Sequence, residues 1–139
     1  VIVPGRPCEE AAGRIKPARH YGVATILLAA PTSTRQRIKA IAKNSEGFIY
    51  YVSLTGVTGA RRELSGDIAS RIRIIRSVTD KPVAVGFGVS DRKQARSIAK
   101  AADGVIVGSV IVKIIGEKKS VVPKVSGFAR SIARAVHSA

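Results

Sequence analysis

Short apolar runs alternate along the chain with longer segments that have the apolar spacing of amphipathic helices. The apolar runs are too short to form helices and are typical of buried parallel strands. They cover residues 1–3, 24–30, 48–53, 83–86 and 104–107. The helical segments cover residues 9–21, 34–44, 65–78, 91–101 and 123–136. This alternation predicts βα units with right-handed crossovers, and therefore a parallel sheet covered by helices.

Two architectures satisfy this alternation. Five βα units wind either into an open, flavodoxin-like five-stranded sheet or into the larger part of an eight-stranded barrel. The predicted fold class is therefore α/β, as a partial (β/α)8 TIM barrel, with the open sheet as the alternative. We expect residues 1–139 to form a single domain, because 45% hydrophobic content at this length suits one packed core. In either architecture, ligands bind at the carboxyl ends of the strands.

The charge balance is strongly basic. The 24 Lys and Arg residues outnumber 9 Asp and Glu residues, which gives a net charge of +15. Such a charge attracts phosphate-bearing partners and opposes self-association. Nucleic-acid-binding domains usually concentrate this charge on one face and interleave aromatic residues, whereas here the charge is spread over every helical segment and only three Tyr and three Phe are present. The pattern favours a solvated basic helical shell, with a basic nucleic-acid-associated α/β domain as an alternative.

The cysteine content and the apolar runs indicate the compartment. Cys8 is the only cysteine, so no intrachain disulfide can form, and without an evident base partner it is interpreted as a small packing residue. No apolar run approaches the roughly 18 residues of a membrane span. We therefore expect no membrane segment and a cytoplasmic location, and we predict no metal site.

The predicted strand ends are rich in glycine and hydroxyl residues. The third strand leads into the segment SLTGVTGA, which predicts a loop that closes over a ligand. After the fourth strand, Gly86-Phe87-Gly88 lets backbone N–H groups approach an anion and offers an aromatic face. After the fifth, Gly108-Ser109 precedes an apolar segment that we expect to form a short helix. Glycine turns after two successive strands, the second opening a short helix, predict a phosphate site.

These motifs resemble those of the tryptophan synthase α subunit. The similar runs are GFIYYVSLTGVTGAR from Gly47, KPVAVGFGVS from Lys81 and ADGVIVGS from Ala102, and the resemblance extends over essentially the whole chain. It implies a (β/α)8 barrel of which this chain supplies strands four to eight. It also implies the family's reaction in tryptophan biosynthesis, a retro-aldol cleavage of indole-3-glycerol phosphate to indole and glyceraldehyde 3-phosphate. The α chain then needs no cofactor, and its partner is a β subunit that carries pyridoxal phosphate and receives the indole.

The resemblance also implies substrate-binding residues. Gly88, Gly108 and Ser109 match the family's phosphate-binding backbone, and Gly86 and Phe87 match the wall beside the substrate. These five residues belong to the two glycine turns described above. The resemblance therefore gives the predicted anion site a specific ligand, the phosphate of indole-3-glycerol phosphate.

Three further residues match the region around the indole. Tyr50 matches an active-site tyrosine, and Thr58 and Gly59 match the closing loop, whose threonine hydrogen-bonds a catalytic aspartate. The family's general acid/base glutamate and its indole-binding aspartate lie on the second and third barrel strands, upstream of anything matched here. Asp103 precedes a strand, at the opposite end of the sheet from a barrel active site, and the other acids are interpreted as cap and turn residues.

The missing carboxylates bear on what this chain does by itself. We expect it to be the downstream part of a larger repeated α/β domain, since it contains no Met and opens directly on an apolar run. Whether it acts as an enzyme depends on carboxylates supplied from elsewhere. The alternative is a non-catalytic barrel fragment or a redesigned scaffold, for which open sheet edges predict self-association.

Overall fold

A computed structural model describes residues 1–2, 8–53, 64–86 and 88–139. Within these ranges helices and strands alternate as far as the fifth helix, and a sixth helix follows it directly. The helices are α1 Cys8–His20, α2 Arg35–Asn44, α3 Leu64–Arg76, α4 Arg92–Ala99, α5 Ser109–Gly116 and α6 Val121–His137. The strands are β1 Leu28–Ala29, β2 Ile49–Val52, β3 Val83–Gly86 and β4 Gly104–Ile106. The predicted alternation is confirmed, and the short helix expected after Gly108 is α5.

The four strands form one parallel sheet in the order β1-β2-β3-β4, which is also their order along the chain. A flavodoxin-like sheet needs a point where the strand order reverses, whereas a barrel adds each strand beside the preceding one. The open-sheet alternative is therefore wrong, and the observed order is that of consecutive barrel units.

The described parts of the first two predicted strands pair less extensively than the sequence indicates. Ile2 forms only an isolated parallel bridge with Ile26, and β1 has two residues. Before β1, the N–H of Ile26 donates to the carbonyl oxygen of Val1, whereas the N–H groups on either side of it have side-chain acceptors. The N–H of Thr25 donates to a Glu46 carboxylate oxygen at 3.0 Å, and the N–H of Leu27 donates to Ser45 Oγ at 3.0 Å. The segment is therefore held by side chains as well as by a backbone bond, and β1 begins at Leu28, later than the predicted apolar run.

The two faces of the sheet differ in burial. Successive side chains of a strand point to opposite faces, and in β2 Ile49 and Tyr51 are buried while Tyr50 and Val52 are half-buried. The buried face packs under the apolar sides of the helices. The core residues contributed by these helices include Ile38, Ile41, Ile72, Ile75, Ala95, Ile98 and Ile132. The half-buried face corresponds to the interior of a barrel.

Two helices begin at residues whose side chains cap the first turn. Thr34 Oγ1 accepts a hydrogen bond from the N–H of Arg37 at the start of α2, and Asp91 Oδ1 accepts one from the N–H of Gln94 at the start of α4. Each bond satisfies a backbone donor that the first turn leaves free. Among the helices of the described residues, none is long and apolar enough to cross a membrane.

Candidate active site

The carboxyl ends of β2 and β3 are joined by a buried serine. Ser53 follows β2 directly, and both its N–H and its hydroxyl donate to the carbonyl oxygen of Gly86, at 3.1 and 3.2 Å. The serine is 2% exposed, so these bonds are shielded from water. They fix the end of β3 at the point where the Gly86-Phe87-Gly88 segment begins.

Tyr50 lies against Gly86 on the half-buried face. A Cβ atom built on Gly86 would lie 2.6 Å from Tyr50 Oη, 2.8 Å from Tyr50 Cε2 and 2.9 Å from Ile106 Cβ. In the sheet register Tyr50 is opposite Ala84, two residues before Gly86. The ring therefore leans toward the carboxyl edge and occupies space that only a glycine at position 86 leaves open.

Beyond Gly86, the chain turns through a conformation that favours glycine. Gly88 has φ of +77°, in the left-handed region, where a Cβ atom is strained. The next residue, Val89, is 4% exposed and packs in the core. The turn thus combines a left-handed conformation at Gly88 with the buried side chain of Val89, which anchors it to the core.

The amino terminus of α5 faces open space. Gly108 is the N-cap residue and has no side chain with which to cap the helix. Nothing lies within 4 Å of a Cβ atom built on it, and Ser109, the first helical residue, is exposed. The N–H groups of a first helical turn have no partner within the helix and carry the positive end of its dipole. This end of α5 is therefore suited to an anion.

The two glycine turns lie at the same edge of the sheet. Gly86 and Ile106 are paired in the β3–β4 register, and Gly88 and Gly108 each follow two residues later. Because parallel strands end at a common edge, the Gly88 turn and the start of α5 are neighbours beyond it. Of the predicted site residues, Tyr50 and Gly86 are in direct contact, whereas Thr58, Gly59 and Phe87 lie outside the described residues, as does most of the predicted closing loop.

Two carboxylates bind backbone at the opposite, amino edge. The Arg19 side chain and the N–H of Thr25 hydrogen-bond Glu46 and lower the pKa of its carboxyl group. The N–H of Val83 donates to Asp103 Oδ2 at 2.9 Å, and this bond, together with the Arg76 guanidinium 3.0 Å from Oδ1, lowers the pKa of Asp103. Both residues precede strands, at the end of the sheet opposite to the one where the active site of a barrel lies. The predicted position of Asp103, directly before a strand, is confirmed.

The other acids with described side chains also have local roles. Asp91 caps α4, Asp80 is exposed in the turn before β3, and Glu117 pairs with Lys124, which lowers the pKa of the glutamate. Within the part of the chain that the structure describes, no three His, Cys, Asp or Glu residues group as metal ligands would. The carboxyl edge described here therefore offers backbone donors, a phenol and apolar surface.

Three neighbours of this edge were not anticipated from the sequence as site residues. Ile106 touches the space beside Gly86, and Ser53 joins two strand ends. Gln94 accepts from the N–H of Ser90, in the turn after Gly88. The spacing Asp91-x-x-Gln94 is a capping-box pattern, so the sequence contained a signal for Gln94. The positions of Ile106 and Ser53 depend on strand register, which the sequence does not show.

Comparison with known proteins agrees with this architecture. The sequence profile of the tryptophan synthase alpha chain matches residues 1–137. The tryptophan synthase alpha chain of Trichormus variabilis is 51% identical over 114 residues, which are 81% of this chain and 43% of that protein. The corresponding protein of Microcystis aeruginosa is 45% identical, over 98% of this chain and 53% of its own length.

A solved structure gives the same result for the fold. The tryptophan synthase α2β2 complex of Pyrococcus furiosus contains a chain that is 36% identical and superposes with a TM-score of 0.81, covering 95% of this chain and 54% of that one. The present chain thus spans about half the length of the proteins it matches. Its sheet corresponds to part of their TIM barrel. By sequence over nearly its full length and by fold, the chain belongs to the tryptophan synthase alpha chain family.

Proposed function

We propose that this chain supplies the phosphate-binding half of a tryptophan synthase α active site. The reaction of the whole site is the retro-aldol cleavage of indole-3-glycerol phosphate to indole and glyceraldehyde 3-phosphate. The observation that carries the proposal is the open amino terminus of α5 beside the Gly88 turn, at the carboxyl edge of adjacent strands. In a barrel, this is the position at which phosphate binds after the last two strands.

Phosphate binding follows from the backbone rather than from charged side chains. The N–H groups at Gly88, Gly108 and Ser109 would hold the phosphate oxygens, and the dipole of α5 would favour their negative charge. Gly108 leaves the approach free because nothing lies within 4 Å of its Cβ direction. Phosphate held there places the glycerol carbons over the sheet edge.

The indole would lie on the half-buried face. Tyr50, packed over Gly86 and close to Ile106, presents an aromatic ring and a phenol at the carboxyl edge. Phe87 would add a second wall, and Thr58 and Gly59 would belong to the loop that closes over the substrate. These residues bind and orient the substrate and exclude water, which contributes to the rate by fixing the reacting geometry.

Proton transfer requires groups that the described part of this edge does not supply. The retro-aldol step needs a base that takes a hydroxyl proton and an acid that protonates the indole carbon. Among the described carboxylates, Glu46 and Asp103 are bound at the amino edge, and Asp91 caps α4. We therefore propose that the catalytic carboxylates come from βα units outside this chain, and that the chain alone binds the substrate but does not cleave it.

The partner and setting follow from the family. The Pyrococcus furiosus relative is part of an α2β2 complex. We propose that a β subunit carrying pyridoxal phosphate receives the indole, that the α chain itself uses no cofactor, and that residues 1–139 act as one unit in the cytoplasm. With a single cysteine, the chain has no intrachain disulfide that would require an oxidising compartment.

Calorimetric titration with glycerol 3-phosphate tests the phosphate site. Gly108→Val places a branched side chain at the start of α5 and is expected to lower the affinity at least about tenfold, as loss of a charge-assisted backbone contact does. Gly116→Val is the matched control, because it lies at the other end of the same helix and also faces open space. Equal affinities for the two variants would place the phosphate elsewhere.

Release of indole from indole-3-glycerol phosphate tests the division of catalytic groups. We expect no turnover by the 139-residue chain and turnover when upstream βα units of a family member are added as a separate polypeptide. Turnover by the chain alone that is lost in Tyr50→Phe would instead make Tyr50 the catalytic group.

A further inference from the structure

The start of α4 is held by three linked hydrogen bonds. Asp91 Oδ1 accepts from the N–H of Gln94 at 2.9 Å. The side chain of Gln94 reaches back, and its Oε1 accepts from the N–H of Ser90 at 2.8 Å and from the Ser90 hydroxyl at 3.2 Å. Because a backbone N–H is a donor, the amide oxygen of Gln94 and not its nitrogen must face Ser90.

This arrangement reaches one residue further than an ordinary capping box. In a capping box the side chain at the third helical position accepts from the N–H of the N-cap residue itself. Here that position is Gln94 and the N-cap is Asp91, yet Gln94 binds Ser90, which precedes the cap. The extra reach connects the helix to the turn that leaves β3 instead of only completing the helix end.

Ser90 does not need this bond to satisfy a buried group. It is exposed, so water would take the place of Gln94 Oε1 at little cost to stability. The helix that carries Gln94 is firmly seated, because Ala95 is fully buried and Ile98 packs in the same core. The bond therefore restricts the conformation of the turn from a rigid helix.

The turn so restricted contains Gly88. Gly88 has a φ of +77°, is followed by the buried Val89, and lies two residues before Ser90. We propose that Gln94 is a positioning residue that holds the Gly88 turn in the conformation that accepts phosphate. The proposal rests on the phosphate site proposed above and adds a residue that does not itself touch the ligand.

Three variants of the 139-residue chain separate positioning from simple capping. Gln94→Met keeps the length of the side chain and removes the acceptor, whereas Gln94→Glu keeps an acceptor oxygen. Thr34→Ala is the matched control, since it removes one side-chain cap from α2, a helix that does not follow the Gly88 turn. Each is titrated with glycerol 3-phosphate, the thermal midpoint is measured, and the Gly88 and Ser90 amide resonances are followed by NMR.

We expect Gln94→Met to weaken glycerol 3-phosphate binding about three- to tenfold, the size of one neutral hydrogen bond. Its thermal midpoint should fall no more than that of Thr34→Ala, and its Gly88 and Ser90 amide resonances should shift. Gln94→Glu should leave both resonances at their wild-type positions. For this variant the resonances are the readout, because its added negative charge also lowers the affinity for phosphate.

Three outcomes overturn the inference, and they are distinguishable. Wild-type affinity in Gln94→Met would leave the phosphate site intact and remove the positioning role. A midpoint for Gln94→Met well below that of Thr34→Ala, with the affinity loss tracking unfolding, would make the residue purely structural. Absence of glycerol 3-phosphate binding by the wild-type chain would refute the proposed phosphate site itself.

Discussion

Replacement of Gly86 by alanine should destabilise the chain through two particular neighbours. The added Cβ atom would lie 2.6 and 2.8 Å from Tyr50 atoms and 2.9 Å from Ile106 Cβ. Each separation is well below the roughly 3.5–4.0 Å at which carbon atoms pack best. Overpacking of this kind typically destabilises by about 1–3 kcal/mol. We expect Gly86→Ala to fall in that range.

The two neighbours respond differently, which makes the prediction specific. The contacts with Tyr50 involve the outer end of its ring, which rotation about its side-chain bonds displaces, whereas Ile106 Cβ is attached directly to the backbone. Tyr50→Val removes the ring and retains a residue suited to a strand. The double variant should therefore be more stable than the sum of the single changes by about 0.5–3 kcal/mol, with a residual loss due to Ile106.

Urea unfolding followed by circular dichroism measures all four members of this cycle. Gly104→Ala is the control on the adjacent strand, because its Cβ would meet Ala84 Cβ at an ordinary 3.4 Å. We expect it to be close to neutral and independent of Tyr50→Val. Additive effects of Gly86→Ala and Tyr50→Val would show that the ring does not lie over Gly86.

Three further predictions concern charged side chains. Three exposed basic residues follow at four-residue spacing on α2: Arg35, Lys39 and Lys43. Lys39→Glu replaces two repulsive pairs by two attractive ones and should stabilise the chain by about 1 kcal/mol at low salt. Lys39→Gln should give roughly half of this gain, and added salt should remove it. The pKa of Asp103 lies below its ordinary 3.8, so the stability that its ionised carboxylate contributes is present above that pH and is lost as the pH falls through the lowered pKa of the folded state. In acid titrations monitored by circular dichroism, Asp103→Asn should therefore lose less stability over this pH range than the wild-type chain. At pH 7, Asp103→Ala should destabilise more than Asp103→Asn, by about 1 kcal/mol, because only the amide retains an acceptor for Val83 N–H; equal losses would refute the role of that bond.

The order of elements was predictable because apolar spacing is local information. Strands and helices differ in the period of their buried side chains, and the two N-caps, Thr34 and Asp91, are marked by residue type. The choice between a barrel and an open sheet was not predictable from that alternation, since both contain the same units. It depends on which strand lies beside which, a property of long-range packing.

The site was predictable only where backbone chemistry determines it. Gly88 and Gly108 are recognisable because a left-handed turn and an open helix start favour glycine. The contact between Tyr50 and Gly86 joins residues far apart in sequence and follows from the register that pairs Tyr50 with Ala84. The hydrogen bond between the N–H of Thr25 and the Glu46 carboxylate, just before β1, likewise joins residues far apart in sequence.

The two edges of the sheet separate stability from ligand binding. At the amino edge, Glu46 and Asp103 accept backbone N–H groups and pair with arginines, so their charges are already compensated. At the carboxyl edge, Gly88 and the start of α5 offer donors without a carboxylate beside them among the described residues. An edge of this composition attracts an anion and does not repel it, but its described residues include no strong base with which to move a proton. Anion binding and proton transfer are therefore expected to be separable in this family, with the first retained in this chain and the second restored only when carboxylates are supplied from outside it.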